Sequence, residues 1–209
     1  MRLILVRHGR QESPLCNVNV ALSEEGILQA KLLAKRFSGL RPDLVYTSSL
    51  LRAKQTASLL FGEDAVFLER AELDEISFGD LTGLSDAESR KVFPAYYAAK
   101  KRRENNLRIP GGECPTEVFE RANKIVLEAL NSGAETVVFV THGGVIRALT
   151  AGLLGLGSEN MLRIAEELEH CSITELLYSE ESGCFSLERL NDYAHLEADI
   201  RLLRCSWKK

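Results

Sequence analysis

The strongest constraint on this chain is an internal echo. Leu3-Ile-Leu-Val-Arg-His-Gly9 near the start is matched in form by Val137-Val-Phe-Val-Thr-His-Gly143 in the second half. Each is a short, continuous apolar run, the pattern of a strand buried on both faces, and each ends in His-Gly. Strands of that kind belong to parallel sheets covered by helices, and in such sheets ligand sites form beyond the carboxyl ends of the strands. Two of only four histidines, His8 and His142, are thereby expected at the same edge of one sheet.

The remaining patterns agree. Ser23 caps a helix with apolar positions Ile27, Ala30, Leu33, Ala34 and Phe37 that stops at Gly39. Residues 44–47 read as a strand, Ser48 or Ser49 as the N-cap of a helix to about Leu60, and residues 65–68 as another strand. Residues 85–99 read as helical, and Thr116 as the cap of a helix through Val118, Ala122, Ile125, Val126, Ala129 and Leu130. Residues 136–140 and 145–154 form a second strand–helix unit, and 172–178 with 184–190 a hairpin. The sum is an α/β fold: three layers, α/β/α, with a mostly parallel mixed sheet and a helical cap insertion over about 76–113. With no linker or low-complexity tract in 209 residues, a single domain is expected.

Charge and cysteine usage narrow the function. Lys plus Arg number 26 and Asp plus Glu 30, a net charge of −4 with no long basic run, so nucleic acid is excluded as an expected partner. Five cysteines lack CxxC spacing and suggest a reducing compartment and core positions rather than a disulfide framework. Residues 1–6 are too short an apolar stretch for a signal peptide, and residues 137–157, although of membrane-span length, contain His142, Arg147 and glycines that fit a strand, a turn and a helix. The reading is a cytoplasmic protein without membrane contact; its oligomeric state is not legible.

At the strand ends, Arg7, His8, Arg52 and His142 would converge beside the helix N-terminus at Gly143, with Gly9, Gly143 and Gly144 letting backbone N–H groups approach closely. Such a pocket suits a phosphate, which guanidinium forks bind bidentately. The sequence holds no P-loop, HExxH, nucleophile elbow or cysteine beside a base, so a neutral imidazole is left as the nucleophile, forming a phosphohistidine. A protonated His142 beside the arginines would steady the transferring group without a metal, and no cofactor is expected. A carboxylic acid must protonate the leaving alkoxide; Glu72, Asp74 and Glu75 all lie in the right stretch, and pattern alone does not choose among them.

Arg7-His8-Gly9 resembles the RHG signature of the histidine phosphatase superfamily, which includes cofactor-dependent phosphoglycerate mutases and acid phosphatases. Further blocks follow in the family's order: Leu22-Ser-Glu-Glu-Gly26, Tyr46-Thr-Ser-Ser-Leu-Leu-Arg-Ala-Lys-Gln-Thr56, Leu73-Asp-Glu-Ile-Ser-Phe-Gly79, Gly111-Gly-Glu113, Val140-Thr-His-Gly-Gly144 and Leu190-Asn-Asp192. The resemblance implies that His8 is the phosphorylated residue and that Arg7, Arg52 and His142 form the phosphate pocket, with a backbone donor at Gly143. It also implies that Glu75 is the proton donor. Asn17 falls three residues after the position of the family's asparagine and is the candidate for substrate contact there. No long insertion follows Glu75, which favours a phosphatase of small phosphorylated substrates over the alternatives, a cofactor-dependent phosphoglycerate mutase or a non-catalytic phospho-ligand binding module. His170 and His195 receive no role and read as structural or exposed. Lys100-Lys-Arg-Arg103 reads as a solvated helix end, with the grip of a second substrate anion as its alternative, and Tyr96 and Tyr97 either pack the cap or line the cleft.

Overall fold

The computed structural model describes residues 1–207. Six strands make one sheet in it: β1 Arg2–Arg7, β2 Leu44–Thr47, β3 Leu68–Glu69, β4 Thr136–Thr141, β5 Ile173–Ser179 and β6 Cys184–Asp192, in the order β3-β2-β4-β1-β5-β6. The first four are mutually parallel, and β5 and β6 add an antiparallel edge. Within the parallel part, alternate residues of each strand point to opposite faces, and helices cover both. Leu3, Leu5, Val137 and Phe139 pack toward α5 (Pro115–Asn131) and α6 (Gly143–Leu153). Ile4, Val6, Val138 and Val140 pack toward α1 (Glu24–Arg36) and α2 (Leu51–Phe61). Leu3, Leu5, Val6 and Phe139 are wholly buried, each contributing about 1.5–3 kcal/mol. The three-layer mixed sheet expected from the sequence is what the chain forms.

Several boundaries differ, each for a local reason. The strand expected at 65–68 pairs only at Leu68–Glu69. Residues 85–99 form two helices, α3 (Asp86–Val92) and α4 (Pro94–Lys101), because Pro94 has no N–H to continue the first and drives Phe93 out of the helical region. Neither Ser48 nor Ser49 caps α2; its N-cap is Leu50, without a side-chain bond. Thr116 lies inside the first turn of α5, whose cap is Cys114, with Pro115 at the first helical position and Glu117 accepting from the Cys114 N–H at 3.0 Å. α6 begins at Gly143 rather than 145, with His142 as N-cap. Of the five cysteines, all free, Cys114 and Cys171 are buried, Cys16 is half-buried, and Cys184 and Cys205 are exposed, which corrects the expectation of core positions for all. No helix among the described residues is long and apolar enough to cross a membrane.

The register explains the echo. β1 and β4 are side by side, with Arg7 opposite Thr141, so the next residue of each strand is a histidine and both leave the sheet together. Between Ile76 and Glu113 the described chain has no strand; Ile76, Leu81 and Ile109 are buried against the α5–α6 side, and α3 and α4 lie in this stretch.

Candidate active site

His8 and His142 are buried, with ring centroids 4.9 Å apart. His8 Nδ1 lies 2.6 Å from the Gly9 carbonyl oxygen, which can only accept, so Nδ1 carries the proton and Nε2 keeps the lone pair. That lone pair accepts from Arg52 Nε at 3.3 Å. Burial, followed by the charges of Arg52 and Arg7, holds the His8 pKa well below 6.5, so the ring is neutral. The same forces act on His142: burial first, then His8, Arg52 and Arg7. The protonated His142 expected from sequence is therefore corrected for the free protein, because burial of the ring and two nearby guanidiniums oppose a third cation.

The tautomer of His142 is also fixed. The Ser48 hydroxyl, at 2.9 Å, donates its only proton to the Asp74 carboxylate and therefore accepts from His142 Nε2 at 2.7 Å. Asp74 is anchored further by the Ser49 N–H at 2.7 Å and the Ser49 hydroxyl at 2.6 Å. His142 Nδ1 is left unprotonated, buried and without a partner. The sequence motif contains Ser48 and Asp74 but suggests cap and acid roles for them; only the fold makes them the support of His142.

Arg7 is half-buried, donates to the Leu168 carbonyl, and its Nε is buried without a partner. Burial, then Arg204, draws its pKa down to about 9, still above neutrality, so the guanidinium keeps its charge. Arg52, 2% exposed, donates to the Val18 carbonyl and to Asn17 Oδ1, both at 3.0 Å. Asn17, in left-handed backbone (φ 47°), thus touches the cavity by orienting Arg52. Gly143 lies at the first turn of α6, where its N–H has no helical partner. A Cβ there would be 3.6 Å from Arg7 Nε, an ordinary contact, so close approach does not require this glycine. Gly9 is required by packing instead, since a Cβ would sit 2.6 Å from the Gly26 carbonyl oxygen.

Of the three carboxylates, Glu75 is the one that lines this cavity, together with Arg7, His8, Arg52 and Asn17. Its Oε1 accepts from Ile76 N–H at 2.9 Å and Gly144 N–H at 3.0 Å, at the positive end of α6. Its loop is clamped from several sides: Thr141 Oγ1 donates to the Leu73 carbonyl and Arg121 to that of Glu72, both at 2.6 Å, while Glu113 accepts from Ser77 N–H at 2.7 Å. His170, given no role by sequence, is buried, donates from Nδ1 to the His8 carbonyl at 3.0 Å, and stands edge-on to the His8 ring at 5.2 Å. It arrives on the turn before β5, a contact that spacing along the chain does not disclose.

An α/β sheet carrying paired histidines and arginines at its parallel strand ends is the architecture of enzymes that move phosphoryl groups through histidine. The chain belongs to the histidine phosphatase superfamily, branch 1, whose description matches residues 3–193. It is 31% identical over 180 residues to the 2,3-bisphosphoglycerate-dependent phosphoglycerate mutase of Bartonella henselae, covering 79% of this chain and 86% of that one. It is 32% identical over 177 residues to the phosphoglycerate mutase of Schizosaccharomyces pombe, covering 77% and 83%. Among solved structures it is similar to mycobacterial glucosyl-3-phosphoglycerate phosphatase in complex with inorganic phosphate, with a TM-score of 0.83 and 30% identity over 93% of this chain and 98% of that one. The relatives thus include phosphatases and mutases.

Proposed function

We propose that this protein is a phosphomonoesterase that hydrolyses small phosphate esters through a phosphohistidine on His8. The observation that carries the reading is the pinned tautomer of a neutral His8, which leaves the Nε2 lone pair facing the cavity beside Arg52. In the first step Nε2 bonds to phosphorus, the bond from phosphorus to the ester oxygen breaks, and the Glu75 carboxylic acid gives its proton to the departing alkoxide. In the second, the Glu75 carboxylate takes a proton from water, the water oxygen bonds to phosphorus, and the N–P bond breaks to restore His8. Arg7, Arg52 and the Gly143 N–H hold the three equatorial oxygens throughout. His142 Nδ1, unprotonated in the free protein, takes up a proton when the dianion arrives and then donates to it, since an adjacent anion raises an imidazole pKa.

Rapid quenching in alkaline detergent after mixing with ³²P-labelled monoester is expected to trap base-stable, acid-labile label on His8, with phosphate as the final product. Label on another residue would remove this mechanism. The identities of 31% and 32% to phosphoglycerate mutases favour a second reading, in which the phosphoryl group returns to a reoriented intermediate instead of water. Isomer interconversion that needs a bisphosphorylated sugar acid and releases no phosphate would select it.

Gly144→Ala tests the acid. Its Cβ would lie 2.5 Å from Glu75 Oε1 and 2.8 Å from Ile76 Cγ2, so the carboxyl group must swing away. We expect kcat for alkyl phosphates to fall roughly 10²-fold, and for p-nitrophenyl phosphate, whose phenolate leaves without a proton, only a few-fold. Equal falls for both esters would remove Glu75 as proton donor.

A further inference from the structure

One motif block of the sequence, Gly111-Gly-Glu113, takes no part in the phosphoryl pocket, yet it lies directly on the loop that carries Glu75. Glu113 N–H donates to the Ser77 carbonyl at 3.1 Å, and the Glu113 carboxylate accepts from Ser77 N–H at 2.7 Å, so one residue holds Ser77 by both of its main-chain groups. The approach is so close that a Cβ on Gly112 would lie 2.2 Å from the Ser77 carbonyl oxygen.

Glu113 is fixed in turn by Arg121. Arg121 Nε donates to Glu113 Oε1 at 2.8 Å and Nη2 to Oε2 at 3.0 Å, a bidentate pair, while Nη1 donates to the Glu72 carbonyl at 2.6 Å. The ion pair thus grips the chain on both sides of Glu75, at Glu72 before it and at Ser77 after it. The upstream side is also tied by Thr141 to the Leu73 carbonyl and by Ser48 and Ser49 to Asp74; downstream, the tie is Ser77 on Glu113. The root of the pair is rigid, because Arg121 stands on α5, whose Val118, Ala122 and Ile125 are buried in the core. A pair suits this place better than a lone arginine. Glu75 has to give a proton and take one back, and two main-chain groups are held beside it with no net charge added to bias that exchange.

We infer that Arg121 and Glu113 are positioning residues that hold Glu75 at the ester oxygen without touching the substrate, so that proton transfer, and not the capture of phosphate, depends on this ion pair. The inference rests on the reading of Glu75 as proton donor. Neither residue lines the phosphoryl cavity, and Arg7 and Arg52 are anchored elsewhere, to the carbonyls of Leu168 and Val18.

Arg121→Met and Glu113→Ala are each expected to lower kcat for ethyl phosphate roughly tenfold, with kcat for p-nitrophenyl phosphate and the affinity for inorganic phosphate nearly unchanged. Glu113→Gln, which keeps an acceptor for Ser77 N–H, is expected to recover most of the loss. The first two substitutions act oppositely on His142, whose pKa the Arg121 charge lowers: one removes that charge and the other leaves it unpaired. A shared loss confined to the alkyl ester therefore does not pass through His142. Added to Gly144→Ala, either is expected to cost little more, because all three displace the same carboxyl group. The position of Glu75 is read directly from hydrogen exchange at Gly144 N–H, which donates to Glu75 Oε1 at 3.0 Å and is expected to exchange several-fold faster in both variants. Unchanged exchange at Gly144 in both overturns the clamp whatever the rates do, as does a loss that multiplies with that of Gly144→Ala. Faster exchange with equal falls for the two esters keeps the clamp and removes Glu75 as proton donor. A Glu75→Gln protein that loses the alkyl ester alone, beside clamp variants that lose nothing, does the reverse.

Discussion

His8→Ala is expected to lower kcat/KM for any monoester by at least about 10⁴-fold while leaving inorganic phosphate able to bind. The two effects separate because nucleophile and anion cradle are different groups. Arg7 is fixed through the Leu168 carbonyl, Arg52 through the Val18 carbonyl and Asn17, and His142 through Ser48 and Asp74, none of which passes through the His8 ring. What disappears is the Nε2 lone pair and the acceptor it offers to Arg52 Nε. Water must then attack phosphorus directly, and the advantage of dividing one displacement into two is lost. Phosphate affinity by calorimetry and initial rates over a panel of esters check both halves. A variant that keeps a tenth of the activity would show that His8 is not the phosphoryl acceptor, and one that loses phosphate binding in parallel would show that the ring builds the cradle.

The parts of this site that were legible in the sequence are those that a parallel sheet makes periodic. An apolar run buried on both faces identifies a strand, and the residue after it identifies what the sheet edge carries; Arg7, His8 and His142 follow from that alone. Arg52 and Glu75 were legible from ordered motif blocks, and the geometry separates Glu75, at the N–H of Gly144, from Asp74, which faces the serines. The rest was hidden because it depends on pairings between distant residues. Ser48 and Asp74 are 26 apart along the chain and look like a helix cap and an acid until the loop after β3 folds over the end of β2. His170 meets His8 across 162 residues. Arg102 and Arg103 are paired with Glu104 and Glu166, whereas Lys100 extends past the rings of Tyr96 and Tyr97, a division that a run of like charges does not reveal. That His142 is neutral until an anion arrives is hidden as well, because sequence shows the charges near it but not the loss of water.

That loss of water leads to the second large effect, on stability. His8, His142 and His170 are all buried, and burial, before the charges of the nearby arginines, places the folded pKa of each well below 6.5. Unfolded, each titrates near 6.5. Above that pH neither state carries these protons and the histidines contribute no pH dependence. As pH falls through 6.5 the unfolded chain takes up protons that the folded chain refuses, so stability is lost with a slope of about 1.4 kcal/mol per pH unit per histidine, or about 4 kcal/mol per unit for the three. Glu169, whose pKa burial raises, works in the opposite direction but accounts for one proton at most. For a protein with roughly 5–15 kcal/mol in total, this is a steep acid limit on folding. Urea unfolding in steps from pH 7.5 to 5.0 is expected to show a plateau above 6.5 and a steep fall below it. His170→Asn, which keeps a donor for the His8 carbonyl, is expected to reduce the slope by one proton. Saturating phosphate is expected to move the fall to lower pH, because a bound dianion stabilises the folded protein by about 2.7 kcal/mol at 100 times its Kd and lets His142 accept its proton without penalty. A stability profile flat from pH 7 to 5 would mean that water reaches these imidazoles in the folded protein, and with it would go the dry pocket on which the neutral His8 nucleophile depends.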